Sequence, residues 1–475
     1  MLEVTARNFR CFRERQTARL APLTLLVGDN GTGKTSFLAL LRALWEMAFE
    51  EREPNFKTPP YDLGSFAEIA HSQGDRGAPA STFEAGFLHE NARSNKGPRR
   101  VRFTVYFEAY GAAPRPVRLR TETEEADDDP PARRVLPRCW AEFRIPELGP
   151  LSFTVGTPGG EWELRNTDSE SPHADWYEAL TASPVVREGR HELPSFNYYI
   201  RNMWKFSTSG EAFPNARGEN QPTREEWRAL VTMAWLARPV HSAPFAGAAA
   251  RAEPRRTYDP APLTGDAAGG DIPTYLADLA GRNDKAWRSI RQGLEDFGRE
   301  AGLFDEIRIR TPDGWAGGPF QIQVAKCGPD SVKGPHRNLM DTGYGVSQVL
   351  PVVTELLRQE RSRMFLLQQP EAHLHPSAEA ALGSLFGRVA AAGSQLVVET
   401  HSDHLIDRIR TDARDGATDL RPGDVSILYF ERDDRDVRIH SLGWDENGNL
   451  IGHRGGLPER YREFFRKETR RSLGL

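Results

Sequence analysis

Apolar and polar positions along the chain switch between two periods. Leu2-Glu3-Val4-Thr5-Ala6 alternates, Leu23-Thr24-Leu25-Leu26-Val27 is nearly continuous in its apolar character, and Ser36 to Trp45 carries apolar residues at helical spacing. Alternation fits a half-buried strand, a short unbroken run fits a strand covered on both faces, and spacings of three and four fit a helix. Residues 1–49 are therefore expected to form two strands, a loop and a helix. From about 50 to 100 the chain turns Pro-, Gly- and Ser-rich and weakly patterned, which predicts irregular surface. Alternation returns at Val101–Phe107, Trp140–Ile145 and Leu151–Val155, interrupted by an acidic, Pro-containing loop at 121–132, and this predicts an antiparallel meander.

Between 165 and 270 only short helical pieces are legible, notably 224–236, inside Gly/Pro/Ala-rich connections. Helical patterning resumes over 272–302, where Ile272, Tyr275, Leu276, Leu279, Trp287, Ile290, Leu294 and Phe297 are spaced by threes and fours. A second α/β block is expected from about 304 to 475. Within it, Met364–Leu367 and Leu396–Val398 are short apolar runs separated by the Ala/Leu-rich stretch Ser377–Ala392, which predicts a βαβ unit with parallel pairing. Internal repeats, sustained heptads and low-complexity tracts are missing.

The first apolar run leads into chemistry. Gly28-Asp29-Asn30-Gly31-Thr32-Gly33-Lys34-Thr35 follows a predicted strand and precedes a predicted helix, the order a phosphate-binding loop needs. Glycines let successive backbone N–H groups turn toward phosphate oxygens, Lys34 would reach the β- and γ-phosphates, and Thr35 would hold Mg²⁺ through its hydroxyl. The helix beginning near Lys34 adds its positive end. Two later strands also end in polar residues: Gln368-Gln369-Pro370-Glu371-Ala372-His373-Leu374-His375-Pro376 after one, and Glu399-Thr400-His401-Ser402-Asp403-His404 after the other. Upstream, Asp341-Thr342-Gly343-Tyr344-Gly345-Val346-Ser347-Gln348 reads as a Gly-rich turn opening a helix expected at Val352–Arg358, with backbone amides and the Ser347 hydroxyl making a second anion grip. Two grips on one triphosphate are redundant within one chain. They make sense if the second belongs to another subunit's nucleotide.

Composition narrows the setting. The 475 residues are 38% hydrophobic, enough for a sizeable core, and no window approaches the ~18 consecutive apolar residues of a bilayer span. Residues 1–20 lack the apolar stretch of a secretory signal, so a cytoplasmic protein without membrane contact is expected. Cys11, Cys139 and Cys327 are too dispersed for a metal knuckle and too few for a disulfide scaffold. The net charge of −5 excludes a polycation that coats nucleic acid, so any DNA contact must be local. Arg251, Arg255, Arg256, Arg308 and Arg310 could meet phosphates of DNA, phosphates of a nucleotide, or only solvent.

In this order, NFRCF, GDNGTGKT, GYGVSQVLP, QQPEAHLHP and ETHSDHL resemble the ABC-type ATPase head of the OLD, RecF and SMC-like group, with AAA15 prokaryotic ATPases the nearest likeness. Leu442–Leu450 and Tyr461–Phe465 resemble the ends of such proteins. The likeness covers roughly 1–70 and 335–475, and the middle only at Ala243-Pro244 and Arg255–Asp259. It implies an α/β P-loop NTPase with an ABC-type head, a mixed sheet with an antiparallel lobe, and a large α+β insertion. The head would comprise 1–165 and 304–475, with the insertion at 166–303.

The resemblance further implies MgATP held at a head-to-tail interface of a homodimer or higher oligomer. Gly28, Asp29, Asn30, Gly31, Thr32, Gly33, Lys34, Thr35 and Ser36 would cradle the nucleotide in one subunit, and Gly343, Gly345 and Ser347 would complete it from the other. Thr35 and the position of Gln368 would serve the metal, while Gln368, Gln369, Glu371, Glu399 and His401 would direct water and sense the γ-phosphate.

One departure stands out. Family heads end this strand with acidic residues, and here Gln368 and Gln369 take their places. A carboxamide orients water but neither accepts its proton nor neutralises a cation. Either Glu371 or Glu399 supplies the carboxylate, with His401 at the γ-phosphate, or hydrolysis is slow and the protein acts mainly as an ATP-gated clamp. Phosphoryl transfer rests chiefly on positioning and electrostatics, so slow but real hydrolysis is the expectation. The biological setting implied is DNA maintenance or anti-phage defence, acting through a separately encoded effector such as a nuclease. The alternative is a nucleotide-sensing scaffold or DNA clamp with negligible turnover.

Two other patterns invite bland readings. Glu431, Asp434 and Asp436 imitate a nuclease's acidic cluster, but Ser426–Phe430 and Val437–Ser441 read as strands with ERDDRD as the turn of a hairpin. His373 and His375 beside Glu371 lie two apart on a loop, a poor spacing for a metal site. The missing heptads exclude long coiled-coil arms.

Overall fold

The computed structural model describes residues 2–49, 55–57, 59–72, 78–90, 100–124, 140–144, 152–157, 160–165, 242–263, 266–282, 285–311, 318–327, 334–358, 363–433 and 436–452. In chain order the strands and helices are β1 (Glu3–Arg7), β2 (Gln16–Arg19), β3 (Leu23–Gly28), α1 (Lys34–Phe49), α2 (Phe66–Ile69), β4 (Thr82–Glu90), β5 (Arg100–Tyr110) and β6 (Ala113–Glu124). Then come β7 (Trp140–Arg144), β8 (Ser152–Thr157), β9 (Gly160–Arg165), β10 (Ser242–Gly247), α3 (Ile272–Arg282), α4 (Lys285–Glu300), β11 (Glu306–Arg310), β12 (Gln321–Ala325) and β13 (Arg337–Asn338). The chain continues with α5 (Tyr344–Leu357), β14 (Arg363–Gln368), α6 (Pro376–Ala391), β15 (Gln395–Glu399), α7 (Asp403–Asp415), β16 (Val425–Asp433), β17 (Asp436–Trp444) and β18 (Leu450–Gly452). The 224–236 segment, most of the expected insertion, Cys139 and Tyr461–Phe465 lie outside the described residues. No described helix is long and apolar enough to cross a membrane.

The chain divides into two compact units. One comprises Met1–Leu20, Gly31–Ala243 and Arg432–Ile439, the other Ala21–Asn30, Pro244–Glu431 and His440–Leu475. The first is built on an eight-stranded sheet, β2-β1-β4-β5-β6-β7-β8-β9, whose neighbours pair antiparallel throughout. The expected meander is present, and it is larger than the pattern suggested. β4 crosses the stretch expected to be irregular. Its Phe83, Ala85 and Phe87 alternate and are buried, but the turn-rich sequence around them hides so short a signal. Phe83 stacks on Phe107 of β5 at 4.6 Å between ring centroids, and Phe9, Phe56 and Phe66 complete the cluster. β2 was not anticipated, and β6 runs on to Glu124, into the segment expected to be loop.

The second unit holds a seven-stranded sheet in the order β10-β14-β15-β3-β16-β17-β18. Its centre is parallel: β14 with β15, β15 with β3, and β3 with β16. β3 and β15 are buried at every position, as unbroken apolar runs covered on both faces should be. Leu276, Leu294, Val353, Phe365, Leu382, Phe386, Val398 and Leu405 belong to one continuous core. A small antiparallel sheet, β11-β12-β13, was not foreseen.

The helical stretch at 272–302 is two helices, α3 and α4. α5 begins at Tyr344 rather than Val352, with Gly343 as its N-cap and Pro351 inside it. The Gly-x-Gly segment reads as a turn from sequence because glycine weakens a helix. A Cβ on Gly345 would stand 2.8 Å from the His373 carbonyl oxygen, so packing against the chain after β14 demands glycine inside this helix.

Candidate functional site

The glycine loop leaves β3 at Gly28, where the parallel strands end in register. Gln368 pairs with Glu399, Glu399 with Leu26, and Phe430 with Gly28. Ligands of open α/β sheets lie outside such carboxyl ends. Gly28 sits at φ +140°, and a Cβ there would meet the Phe430 carbonyl oxygen at 2.5 Å, so the departure from the strand admits only glycine. Gly31 and Gly33 also have positive φ, at +73° and +88°. α1 starts at Lys34, its first turn holds no acidic residue, and the Phe37 N–H donates to the Gly33 carbonyl at 2.9 Å. The helix's positive end is therefore unopposed by its own side chains. Lys34 is 3% exposed and Thr32 and Ser36 are buried, whereas Asp29 and Asn30 lie open.

Three groups brace this loop that sequence reasoning did not pick out. Cys11 lies against Gly33, where an added Cβ would stand 2.4 Å from its sulfur, and its thiol points at the Thr32 carbonyl at 3.5 Å. Arg432 donates to the Gly31 carbonyl, and Arg10 Nε reaches Ser36 Oγ at 3.4 Å. The only advance sign was the NFRCF segment itself, because partners so distant in sequence leave no periodic trace.

The strand ends carry the second group of expected residues. Gln369 takes φ +43°, a strained value for a side-chain-bearing residue, and its N–H donates to the Glu399 carbonyl at 2.8 Å. Glu371 is 7% exposed. Its Oε1 accepts from Thr400 Oγ1 and from the His401 N–H, both at 2.8 Å, so one carboxylate joins the turn after β14 to the turn after β15. Burial pushes the Glu371 carboxyl above its ordinary range against those bonds. Ser402 caps α7 through the Leu405 N–H at 3.0 Å. Gln368, Gln369, Glu371, Glu399 and His401 are thus brought together at neighbouring strand ends. Glu371 is engaged as a tie between turns, which the sequence did not reveal.

The α5 segment comes to the same turn. The Tyr344 ring stands edge-on to His373 at 4.9 Å, beside the Gly345 contact. Ser347 lies one turn inside the helix, 5% exposed, its hydroxyl donating to the Tyr344 carbonyl at 2.8 Å. Gly343 and Tyr344, rather than Ser347, form the exposed face of this helix start.

Known proteins supply the comparison. Residues 1–93 match the family model described as "AAA ATPase domain", and residues 281–407 match that described as "AAA domain, putative AbiEii toxin, Type IV TA system". Both matched descriptions are of AAA ATPase-type domains, one at the start of the chain and one in its C-terminal half. No curated protein matches the sequence. Among solved structures, the chain is similar to an SMC head bound to the C-winged helix domain of ScpA, with 11% identity, TM-score 0.43, and coverage of 94% of this chain and 98% of that one. It is also similar to an Smc head with an extended coiled coil bound to the C-terminal domain of ScpA from Pyrococcus furiosus, with 10% identity, TM-score 0.39, and coverage of 93% and 96%. The SMC head domain from Thermotoga maritima matches with 9% identity, TM-score 0.37, and coverage of 92% and 97%.

The nuclease-like acidic cluster is a hairpin, as expected. β16 and β17 are neighbours, Glu431 bonds His440 Nε2 at 2.8 Å, and Asp436 faces His71 Nε2 at 3.6 Å. Asp434 lies outside the described residues. Among the described residues no three His, Cys, Asp or Glu side chains converge as metal ligands. Of the arginines offered as phosphate contacts, Arg256 is paired with Asp341 at 2.6 Å and Arg308 Nη2 with Gln323 at 2.7 Å. Arg251 is buried.

The Cys11 thiol is pushed up to about 11, chiefly by burial. It therefore stays protonated at neutral pH, and the thiolate is the reactive form. Alkylation of the native protein by iodoacetamide at pH 8 should leave Cys11 unmodified, while the urea-unfolded chain is modified fully. Mass spectrometry of the Cys11 peptide reads the difference.

Proposed function

We propose that the domain binds MgATP through Gly28–Ser36 and hydrolyses it slowly, with two copies pairing head to tail so that the Gly343–Ser347 segment of each meets the nucleotide of the other. The observation that carries the reading is the left-handed glycine loop issuing from a buried parallel strand straight into the unopposed N-terminus of α1. Such a loop offers fixed backbone dipoles to a triphosphate at no reorganisation cost. Mg²⁺ would take the Thr35 hydroxyl and the Gln368 carboxamide oxygen, keeping water and phosphate oxygens for the rest of its shell. The metal would neutralise charge on the transferring phosphoryl group.

Gln369, Glu399 and His401 would orient the attacking water and sense the γ-phosphate, while Glu371 holds the two turns that carry them. The Gln pair and the engaged Glu371 favour low turnover, which suits a switch whose ATP-bound dimer signals to a separate effector, such as a nuclease, in DNA maintenance or anti-phage defence. The same features support the second reading, a scaffold that keeps ATP intact.

Phosphate release and mass in solution separate the two. Addition of ATP should double the mass of the wild type, ADP should not, and phosphate should appear at a rate that Lys34→Ala removes. A doubled mass with no phosphate released above that variant's background would favour the scaffold. A mass unchanged by ATP would overturn the pairing.

A further inference from the structure

Arg251 lies beyond the end of the edge strand β10, on a segment pinned by the Ala252 N–H donating to the Ala268 carbonyl at 2.9 Å. The residue is 8% exposed, and its Nε and Nη1 atoms are buried. Nη2 donates to the Gln369 carbonyl at 2.9 Å, while Nε and Nη1 have no partner among the described residues. The nearby charge is the Glu371 carboxylate, whose Oε2 is likewise buried without a partner. Burial draws the Arg251 guanidinium down to about 10, and Glu371 works against that shift.

Keeping a cation in such a place is costly, and an apolar side chain of similar volume would pack there at lower cost. What the cation touches explains its presence. Gln369 is the strained residue directly after β14, at φ +43°, where the family's water-polarising acid would stand. Its N–H is held by the Glu399 carbonyl at 2.8 Å, and its own carbonyl is held by Arg251. With the peptide groups on both sides of its Cα held, the direction of its Cα–Cβ bond is fixed, which sets the region its carboxamide can reach. A carboxamide can help a water attack only by orientation, so its aim matters more than that of a carboxylate.

We propose that Arg251 is a positioning residue for ATP hydrolysis, clamping the Gln369 backbone so that the Gln369 carboxamide is aimed at the attacking water, with Glu371 as counter-charge. This rests on the reading of the domain as a hydrolysing ATPase.

The test is a double-mutant cycle on the full chain, reading kcat and KM from phosphate release and affinity from a fluorescent ATP analogue. Arg251→Met should lower kcat about tenfold or more while KM and nucleotide affinity stay within about twofold. Arg251→Lys, which keeps one charged donor, should recover much of the rate. In a Gln369→Ala background the same Arg251→Met change should cost nothing further, because a group acting only through Gln369 has nothing left to aim.

Wild-type kcat in Arg251→Met, or losses that multiply with those of Gln369→Ala, would overturn the proposal while leaving the ATPase reading intact. A wild type that releases no phosphate above the Lys34→Ala background would overturn both. If Arg251→Met loses nucleotide binding and cooperative melting together, the cycle is run with Arg251→Lys. A several-fold cost that vanishes with Gln369→Ala supports the clamp, and an equal cost in both backgrounds refutes it.

Discussion

Lys34→Ala should abolish measurable phosphate release and weaken ATP binding by about a hundredfold or more, the size expected when one charge-assisted grip on a phosphate is removed from a preorganised site. The expectation follows from placement. Lys34 opens α1 directly after Gly33, and it is 3% exposed, so its ammonium cannot be replaced by a neighbouring side chain swinging in from solvent. Titration with a fluorescent ATP analogue and a coupled phosphate assay check both parts. Lys34→Arg is the informative companion, because a guanidinium keeps the charge but is bulkier than the ammonium it would replace at a position only 3% exposed. It should bind nucleotide better than the alanine variant and turn over no faster. Unchanged affinity in Lys34→Ala would remove the glycine loop from the nucleotide site.

The second large effect concerns Glu371. Glu371→Ala should destabilise the protein by about 3–5 kcal/mol, the range for removing one partner of a buried charged cluster. The substitution strips an acceptor from Thr400 Oγ1 and the His401 N–H and leaves the buried Arg251 guanidinium without its counter-charge. Glu371→Gln should cost less, since the carboxamide oxygen can still accept from both donors. The two variants also separate packing from charge through pH. Burial raises the Glu371 carboxyl above its ordinary value of 4.5, so in the folded state the neutral acid is the favoured form relative to the unfolded chain. The stability this group contributes is fully present below its unfolded pKa and is lost as pH rises through its raised folded value. The stability difference between wild type and Glu371→Gln should therefore shrink as pH rises through that interval. Urea denaturation across the acid-to-neutral range measures it. A difference that grows with pH would mean that the hydrogen bonds from Thr400 and His401 and the charge of Arg251 outweigh burial at Glu371.

Much of the central sheet was legible because its strands are extreme cases. Leu23–Val27 and Leu396–Val398 are apolar without interruption, and only a strand covered on both faces asks for that. The glycine loop was legible for a related reason: a backbone that turns repeatedly with positive φ restricts those positions to glycine. β4 was missed where its alternation of Phe83, Ala85 and Phe87 stood among turn-forming residues, and the start of α5 was missed because a glycine needed for contact resembles a glycine needed for a turn.

The candidate site divides along the same line. Its residue types and their order are local properties, and the sequence by itself determined that a glycine loop of phosphate-binding pattern, a glycine-led helix and two polar strand ends occur in that succession, with glutamines where acids are usual in the heads it resembles. Only the tertiary structure decided which of these groups are free to act. It turned Ser347 into its own helix, engaged Glu371 between two turns, and set Cys11 and Arg432 against the loop and Arg251 against Gln369. Apart from the Ser347 bond, these contacts join residues tens to hundreds of positions apart. A single chain read from end to end carries no periodic mark of such partners, because their pairing depends on how the strands are ordered in space.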